Sequence, residues 1–176
     1  MKTLVIIAHP NMENSVVNKR WLKELEKEKE KFTIHKLYEV YPDENIDLKR
    51  EQALVESHDS LILQFPIYWF NSPPLMKKWL DVVLTQGWAY GPEGEKMTNK
   101  KVALAVSAGG NEKDDYSIDG RYTATLEQVL LPFKLTFQYT SSIYKGFTTF
   151  YGAEHELTDM KLDNSAVNYI DFVKNI

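Results

Sequence analysis

Three short stretches carry groups that could do chemistry, and each follows an apolar run. Pro66-Ile67-Tyr68-Trp69-Phe70 comes directly after Leu61–Phe65, and Ser72-Pro73-Pro74 behind it opens a helix. A strand therefore hands over to a helix through a rigid aromatic loop. Its backbone N–H groups can meet the polar edge of a flat ring while Trp69 and Phe70 cover the ring's face. His9 to Asn18 follows the run Leu4–Ala8 and ends in a helix start capped by Asn14 or Ser15. Free N–H groups and the helix dipole suit a phosphate there, and Ser15 and Asn18 add side-chain donors. Ser107-Ala108-Gly109-Gly110 follows Val102–Val106, and its glycines let backbone approach a ligand closely. Taken singly, each feature has a purely structural reading: aromatics fill core, His9 caps its own loop, Gly109-Gly110 makes a turn, a serine caps its helix. Together, at the ends of three strands, they favour a phosphorylated flat cofactor held in the crevice outside the strands' carboxyl ends.

The elements that must position these residues follow from the hydrophobic pattern. Leu4–Ala8 is continuously apolar and rich in β-branched residues, as a central parallel strand covered on both faces would be. Val17, Trp21 and Leu25 recur every four residues on a helix whose charged end, Glu26 to Lys31, offers the pairs Glu24/Lys27, Glu26/Lys29 and Glu28/Lys31. Phe32 to Tyr38 reads as a second, more peripheral strand. Asp47 caps a short surface helix running to about Ser57. Ser72 is expected to cap the next helix, with proline in its first turn and Met76, Trp79, Leu80 and Val83 on its apolar face. Lys101 starts another strand. Thr123 to about Tyr139 reads as a helix bent near Pro132, Ser142 to Tyr151 as the last strand, and Ala166, Tyr169, Ile170 and Val173 mark a closing helix. Strands alternating with helices imply an α/β fold with a parallel, doubly wound sheet. Five strands suit the flavodoxin-like order 2-1-3-4-5, a three-layer sandwich. No G-x-G-x-x-G follows the first strand and no G-x-x-x-x-G-K-[ST] occurs, which argues against a Rossmann dehydrogenase or a P-loop enzyme.

Composition narrows the classes further. A chain of 176 residues suits one domain, 1–176, with a substantial core. Its net charge of −4 gives no nucleic-acid surface. Cysteine is absent, so disulfides, a thiol nucleophile and Cys-based metal sites are excluded. The histidines, His9, His35, His58 and His155, lack any paired helical spacing, so no metal is expected. Leu4–Ala8 is too short for a signal segment or for membrane insertion, which suits a cytoplasmic protein.

At this point the motifs resemble a known family. His9-Pro10-(x)4-Ser15-(x)2-Asn18, Gln64-Phe65-Pro66-(x)2-Trp69-(x)3-Pro73-Pro74-Leu75-(x)3-Trp79, Gly87-Trp88-Ala89-Tyr90-Gly91 and Gly109-Gly110 look like those of the flavodoxin-like NAD(P)H:quinone oxidoreductases. That family includes DT-diaphorase and bacterial ancillary flavoproteins of potassium efflux systems. The resemblance implies a flavin, FMN in the short bacterial members with FAD as the variant, and a homodimer with active sites at the subunit interface. By position, His9, Ser15, Val16, Val17 and Asn18 would hold the phosphate and ribityl chain. Pro66, Ile67, Tyr68, Trp69 and Phe70 would line the flavin ring, with Ser107, Ala108, Gly109 and Gly110 at its other edge. The family commonly places a tyrosine four residues before a glycine and a histidine two after it. Here Tyr116 and Gly120 match while Tyr122 stands in the histidine's place, so Tyr116 and Tyr122 are the candidate catalytic pair. Trp88 and Tyr90 are expected near a partner subunit's flavin, since aromatics are enriched in interface cores. The implied reaction is two-electron, ping-pong reduction of quinone-like acceptors by NAD(P)H. Two other roles are a flavodoxin-type electron carrier, which would have a Ser/Thr-Gly-rich loop where this chain has His9-Pro10, and a regulatory partner of a potassium efflux transporter.

Overall fold

The computed structural model describes residues 2–112, 114–155 and 157–176. Five parallel strands form one sheet in the order β2-β1-β3-β4-β5, where β1 is Thr3–Ile7, β2 Phe32–Lys36, β3 Ser60–Pro66, β4 Lys101–Ala108 and β5 Ile143–Tyr151. The central strands β1 and β3 are buried throughout, because their apolar runs, interrupted in β3 by Gln64, have a helical layer on each face. Leu4, Ile6, Leu61, Leu63, Val102 and Leu104 face one core, and Val5, Ile7, Ile62, Ala103 and Ala105 face the other. The second core is closed by α1 (Val17–Glu26) and α7 (Asp159–Lys174), whose Trp21 and Tyr169 stack with centroids 4.8 Å apart. The first is closed by α3 (Leu48–Glu56), α4 (Pro74–Val83), α5 (Leu126–Val129) and α6 (Leu131–Tyr139), with the short α2 (Leu37–Val40) after β2. Edge strand β5 takes up one extra residue between the pairs Val102/Tyr144 and Leu104/Phe147. There Gly146 sits at φ +87°, the left-handed backbone such a bulge requires. This shift turns Tyr151 toward the first core and the site described below.

Several local expectations are corrected. Ser72 does not cap α4: its hydroxyl is buried with no partner among the described residues, and the extended Pro73 takes the cap position ahead of Pro74. The helix expected from Thr123 is two helices, beginning at Thr125 with a reciprocal Thr125–Gln128 capping box and breaking at Leu130. Pro132 lies in the first turn of α6, where its missing N–H costs nothing, so it starts that helix and does not bend it. β2 stops at Lys36, and Tyr38 belongs to α2. α3 is capped by Asp47 as expected, yet its Glu51 is wholly buried, accepting bonds from Tyr41 Oη (2.5 Å) and Trp79 Nε1 (2.7 Å) with His35 Nε2 at 3.0 Å. A buried carboxylate needs such donors, and they come from three other segments that local periodicity does not reveal.

Candidate active site

The carboxyl ends of the strands form one continuous cleft. A part of about 340 Å3 lies between the start of α1 and the ends of β3 and β4, and a part of about 550 Å3 extends beyond Tyr68 toward Tyr116 and Tyr122. Ile67, Tyr68, Gly109 and Glu154 border both.

At the inner end, β1 stays paired to β3 through Ala8 N donating to Gln64 O (2.9 Å), and the chain then turns away at His9. His9 Nδ1 accepts from Asn11 N (3.1 Å), so its Nε2 carries the proton in the neutral ring; burial holds the imidazole's pKa below the usual value. Val16 takes the cap position of α1, and Ser15, one residue before it, accepts from Asn18 N on its Oγ (3.2 Å), while Asn14 belongs to the preceding turn. The amides of Val16 and Val17 have no acceptor among the described residues. Unsatisfied amides at a helix N-terminus form an anion cradle. Lys19, the nearest cation on α1, is turned back onto Glu13 O at 2.8 Å.

The middle of the cleft is made by the loop after β3. Ile67 N donates to Ser107 O (2.8 Å), extending the β3–β4 ladder, and Tyr68 and Asn71 then exchange backbone bonds of 2.8 and 3.0 Å. Between them Trp69 and Phe70 sit at φ +48° and +60°, so aromatic residues hold both left-handed positions of a tight turn usually built from Asn-Gly. Such backbone costs about 1–2 kcal/mol per residue. The outcome is that Trp69 is 95% exposed and Phe70 45% exposed at the cleft's edge.

The far side follows β4. Neither Gly109 nor Gly110 has a positive φ; what stands close to each is a neighbouring side chain. A Cβ on Gly109 would stand 2.6 Å from the Glu154 carboxyl carbon, and one on Gly110 would stand 2.9 Å from Asp115 Cβ. The amides of both glycines lack an acceptor among the described residues. Behind them Tyr116 and Tyr122 meet edge to face at 5.0 Å, in a run of rings from Phe70 (4.9 Å to Tyr122) to Tyr151 (6.0 Å from Tyr116). Burial, then the neighbouring Tyr122, pushes the Tyr116 phenol up to about 12, so it keeps its proton at neutral pH. The loop is pinned by Arg121 N to Asp114 O (2.8 Å) and Tyr122 N to Asp115 O (3.0 Å), and Arg121's guanidinium lies 5.7 Å from the Tyr122 ring centre.

Most expected site residues thus meet at one cleft: His9, Ser15, Val16, Val17, Pro66 to Phe70, Ser107, Gly109, Gly110, Tyr116 and Tyr122 all border it. Asn18 and Ala108 do not. Asn18 is 1% exposed and donates its side-chain amide to Ser107 Oγ (2.9 Å), and Ala108 is fully buried. Trp88, expected near a partner subunit's flavin, is 9% exposed and packs in its own chain's core, with Nε1 donating to Glu56 Oε1 at 2.6 Å. Tyr90 is half-buried against Tyr139 at 5.2 Å and remains reachable from outside. Arg121, Glu154, Asn11 and Asn14 border the cleft unforeseen. Glu154 lies just past the end of β5, a fourth strand end that the same convergence argument could have included.

No helix is long and apolar enough to cross a membrane, and no cluster of metal-binding side chains occurs among the described residues. The chain is 44% identical over 174 residues to the Bacillus subtilis (strain 168) protein named Uncharacterized NAD(P)H oxidoreductase YrkL, covering 99% of this chain and 98% of that one. Among solved structures it is similar to general stress protein 14 of Treponema denticola in complex with FMN, with a TM-score of 0.93, 44% identity and 99% of each chain covered. It is also similar to an NADPH-quinone reductase from P. pentosaceus, with a TM-score of 0.90 and 26% identity over 100% of this chain and 99% of that one. The family profile described as flavodoxin-like fold matches residues 1–172, and the chain belongs to that family.

Proposed function

We propose that the cleft holds FMN and that the protein passes two electrons from NAD(P)H to quinone-like acceptors. The observation that carries this reading is the joining, in one cleft, of a helix-end anion cradle to a slot walled by aromatic rings and unsatisfied glycine amides. The donor set fits the group: Ser15 with the Val16 and Val17 amides for phosphate, and the unsatisfied Gly109 and Gly110 amides for the polar edge of the ring, while the amides of Ile67 and Tyr68 are already engaged within the protein. The similarity to an FMN complex at 44% identity supports FMN over FAD. Bound flavin would supply the hydride chemistry, and the protein's part is to orient donor and acceptor and to stabilise charge. The Gly109 and Gly110 amides offer preorganised donors where negative charge develops, and the protonated Tyr116 adds a phenol. Arg121, the one Lys or Arg bordering the cleft among the described residues, is placed to meet the negative charge of a nicotinamide dinucleotide. Donor and acceptor must both enter beside Trp69 and Phe70, so they take turns and the kinetics should be ping-pong. A second copy of the chain is the natural cover for the strip of Leu135 (54% exposed) and Tyr139 (70% exposed) on α6, next to Tyr90.

The test is an absorbance spectrum of the purified protein followed by anaerobic addition of NADPH or NADH. A flavin spectrum bleached within seconds is expected. Colourless protein that gains no flavin spectrum with excess FMN or FAD overturns the cofactor. Bound flavin that neither nucleotide bleaches leaves a carrier, or a regulatory role beside a potassium efflux transporter, and co-purification with a membrane protein would then mark the latter.

A further inference from the structure

Four buried polar side chains form a hydrogen-bonded line from α7 to the cleft. Tyr169 Oη donates to Gln64 Oε1 (2.6 Å); Gln64 Nε2 donates to the Asn18 carbonyl oxygen (3.3 Å) and to Asn18 Oδ1 (3.2 Å); Asn18 Nδ2 donates to Ser107 Oγ (2.9 Å). Tyr169 and Gln64 are fully buried, Asn18 is 1% exposed, and only Ser107 borders the cleft. Each comes from a different element: α7, β3, α1 and β4.

The direction of this line is dictated by one atom. A backbone carbonyl can only accept, so the edge of the Gln64 amide that faces the Asn18 carbonyl must be its nitrogen. The Gln64 oxygen then faces Tyr169, which burial keeps protonated and which therefore donates to it. Asn18 receives the second Gln64 hydrogen on its oxygen, so its own nitrogen must face Ser107. The Ser107 oxygen is thus occupied as an acceptor, and its hydrogen has no acceptor among the described residues other than what enters the cleft. Apolar groups would fill this space more simply, since buried polar groups left unpaired are costly.

Taking the cleft as the flavin site, we propose that Tyr169, Gln64 and Asn18 are positioning residues that order the Ser107 proton, so that this hydroxyl meets the cofactor as a hydrogen-bond donor. The line selects a lone-pair-bearing atom of the flavin or its ribityl chain at that point. It also ties the helix-end cradle to β4, because Asn18 stands in the first turn of α1 and Ser107 near the end of β4.

The experiment titrates apoprotein with FMN, following quenching of flavin fluorescence. Ser107→Ala should weaken binding by about tenfold, the worth of one hydrogen bond. Asn18→Leu, uncharged and close to asparagine in size, removes the amide that fixes the Ser107 hydroxyl. It should weaken binding by about threefold to tenfold, and by under about twofold when Ser107 is already alanine. Tyr169→Phe keeps the ring stacked on Trp21 and serves should the first variant fail to fold; its loss, about threefold, should likewise vanish in the Ser107→Ala background. Losses of equal size in both backgrounds mean that the line acts through structure alone and overturn the proposal. So does Ser107→Ala binding within about twofold of the parent. In both cases the parent still binds FMN, whereas a parent that binds none overturns the flavin reading itself.

Discussion

Trp69→Asn should stabilise the apoprotein while impairing its work. Trp69 is 95% exposed, so its ring has almost no burial to lose, and its φ of +48° carries a left-handed cost of about 1–2 kcal/mol that asparagine largely escapes. Asparagine also avoids the extra chain freedom that glycine would bring to the unfolded state. A gain of about 0.5–1 kcal/mol follows, and for a chain of this size about 2–4 °C in Tm per kcal/mol gives a rise of about 1–4 °C. Phe70 is the control: it is 45% exposed and packs against Tyr122 at 4.9 Å, so the same change there forfeits a ring contact of about 0.5–1.5 kcal/mol and the gain disappears. The assay is a thermal melt of apoprotein at several concentrations, paired with steady-state kinetics of the flavin-loaded enzyme. There the loss of the ring beside the slot should raise KM for the acceptor. A fall in Tm by more than about 1 °C would refute the reasoning: if the fall deepened with protein concentration, a second copy would be covering the ring; if not, the turn would be carrying no strain.

Tyr116→Phe should slow flavin reduction in stopped flow by about tenfold, less than the roughly 10²–10³ of a principal oxyanion donor because the glycine amides remain; Tyr122→Phe should cost less. Gly109→Ala should leave the melt nearly unchanged, since the added methyl meets the movable end of Glu154, yet it should weaken FMN binding in the fluorescence titration because the methyl and the Glu154 carboxylate it displaces must share the cleft with the ring. The folded Tyr116 pKa, about 12, lies above the ordinary value of about 10. Its contribution to stability is therefore full below about pH 10 and lost as pH rises toward 12, so alkaline unfolding should be steeper in the parent than in Tyr116→Phe. His9 has the opposite sense in acid. Its folded pKa is depressed by burial, so the unfolded chain takes up that proton first and stability declines as pH falls below about 6.5, an effect absent in His9→Ala.

The strand order and the three strand-end loops were legible because they rest on local signals: unbroken apolar runs, a capped helix start, and glycines just past a strand. Alternation implied the parallel sheet, and the observed order 2-1-3-4-5 is the one expected for a doubly wound sheet of five strands. What stayed hidden depends on contacts distant in sequence. Asn18 looks like an exposed donor from its place at a helix start, and only the arrival of Gln64 and Ser107 beside it shows that its amide is already engaged. Trp88 sits among glycines in a loop-like segment, yet it packs in the first core, with its indole N–H donating to Glu56, 32 residues earlier. Pro132 carries the sign of a kink, yet the break at Leu130 turns it into a helix start. Glu51 reads as one more surface acid of α3 until His35, Tyr41 and Trp79 close over it.

The folding back of Lys19 onto Glu13 has a consequence for how the cofactor arrives. With no Lys or Arg at the helix end of the cleft among the described residues, a phosphate there is gripped by amide dipoles acting only at contact. Over longer distances it meets a protein of net charge −4, which repels a dianion. Added salt screens that repulsion beyond about 10 Å while leaving the contacts inside the cradle largely untouched. FMN should then associate faster as ionic strength rises and dissociate at nearly the same rate, the reverse of the behaviour of sites that draw phosphates in with a basic patch.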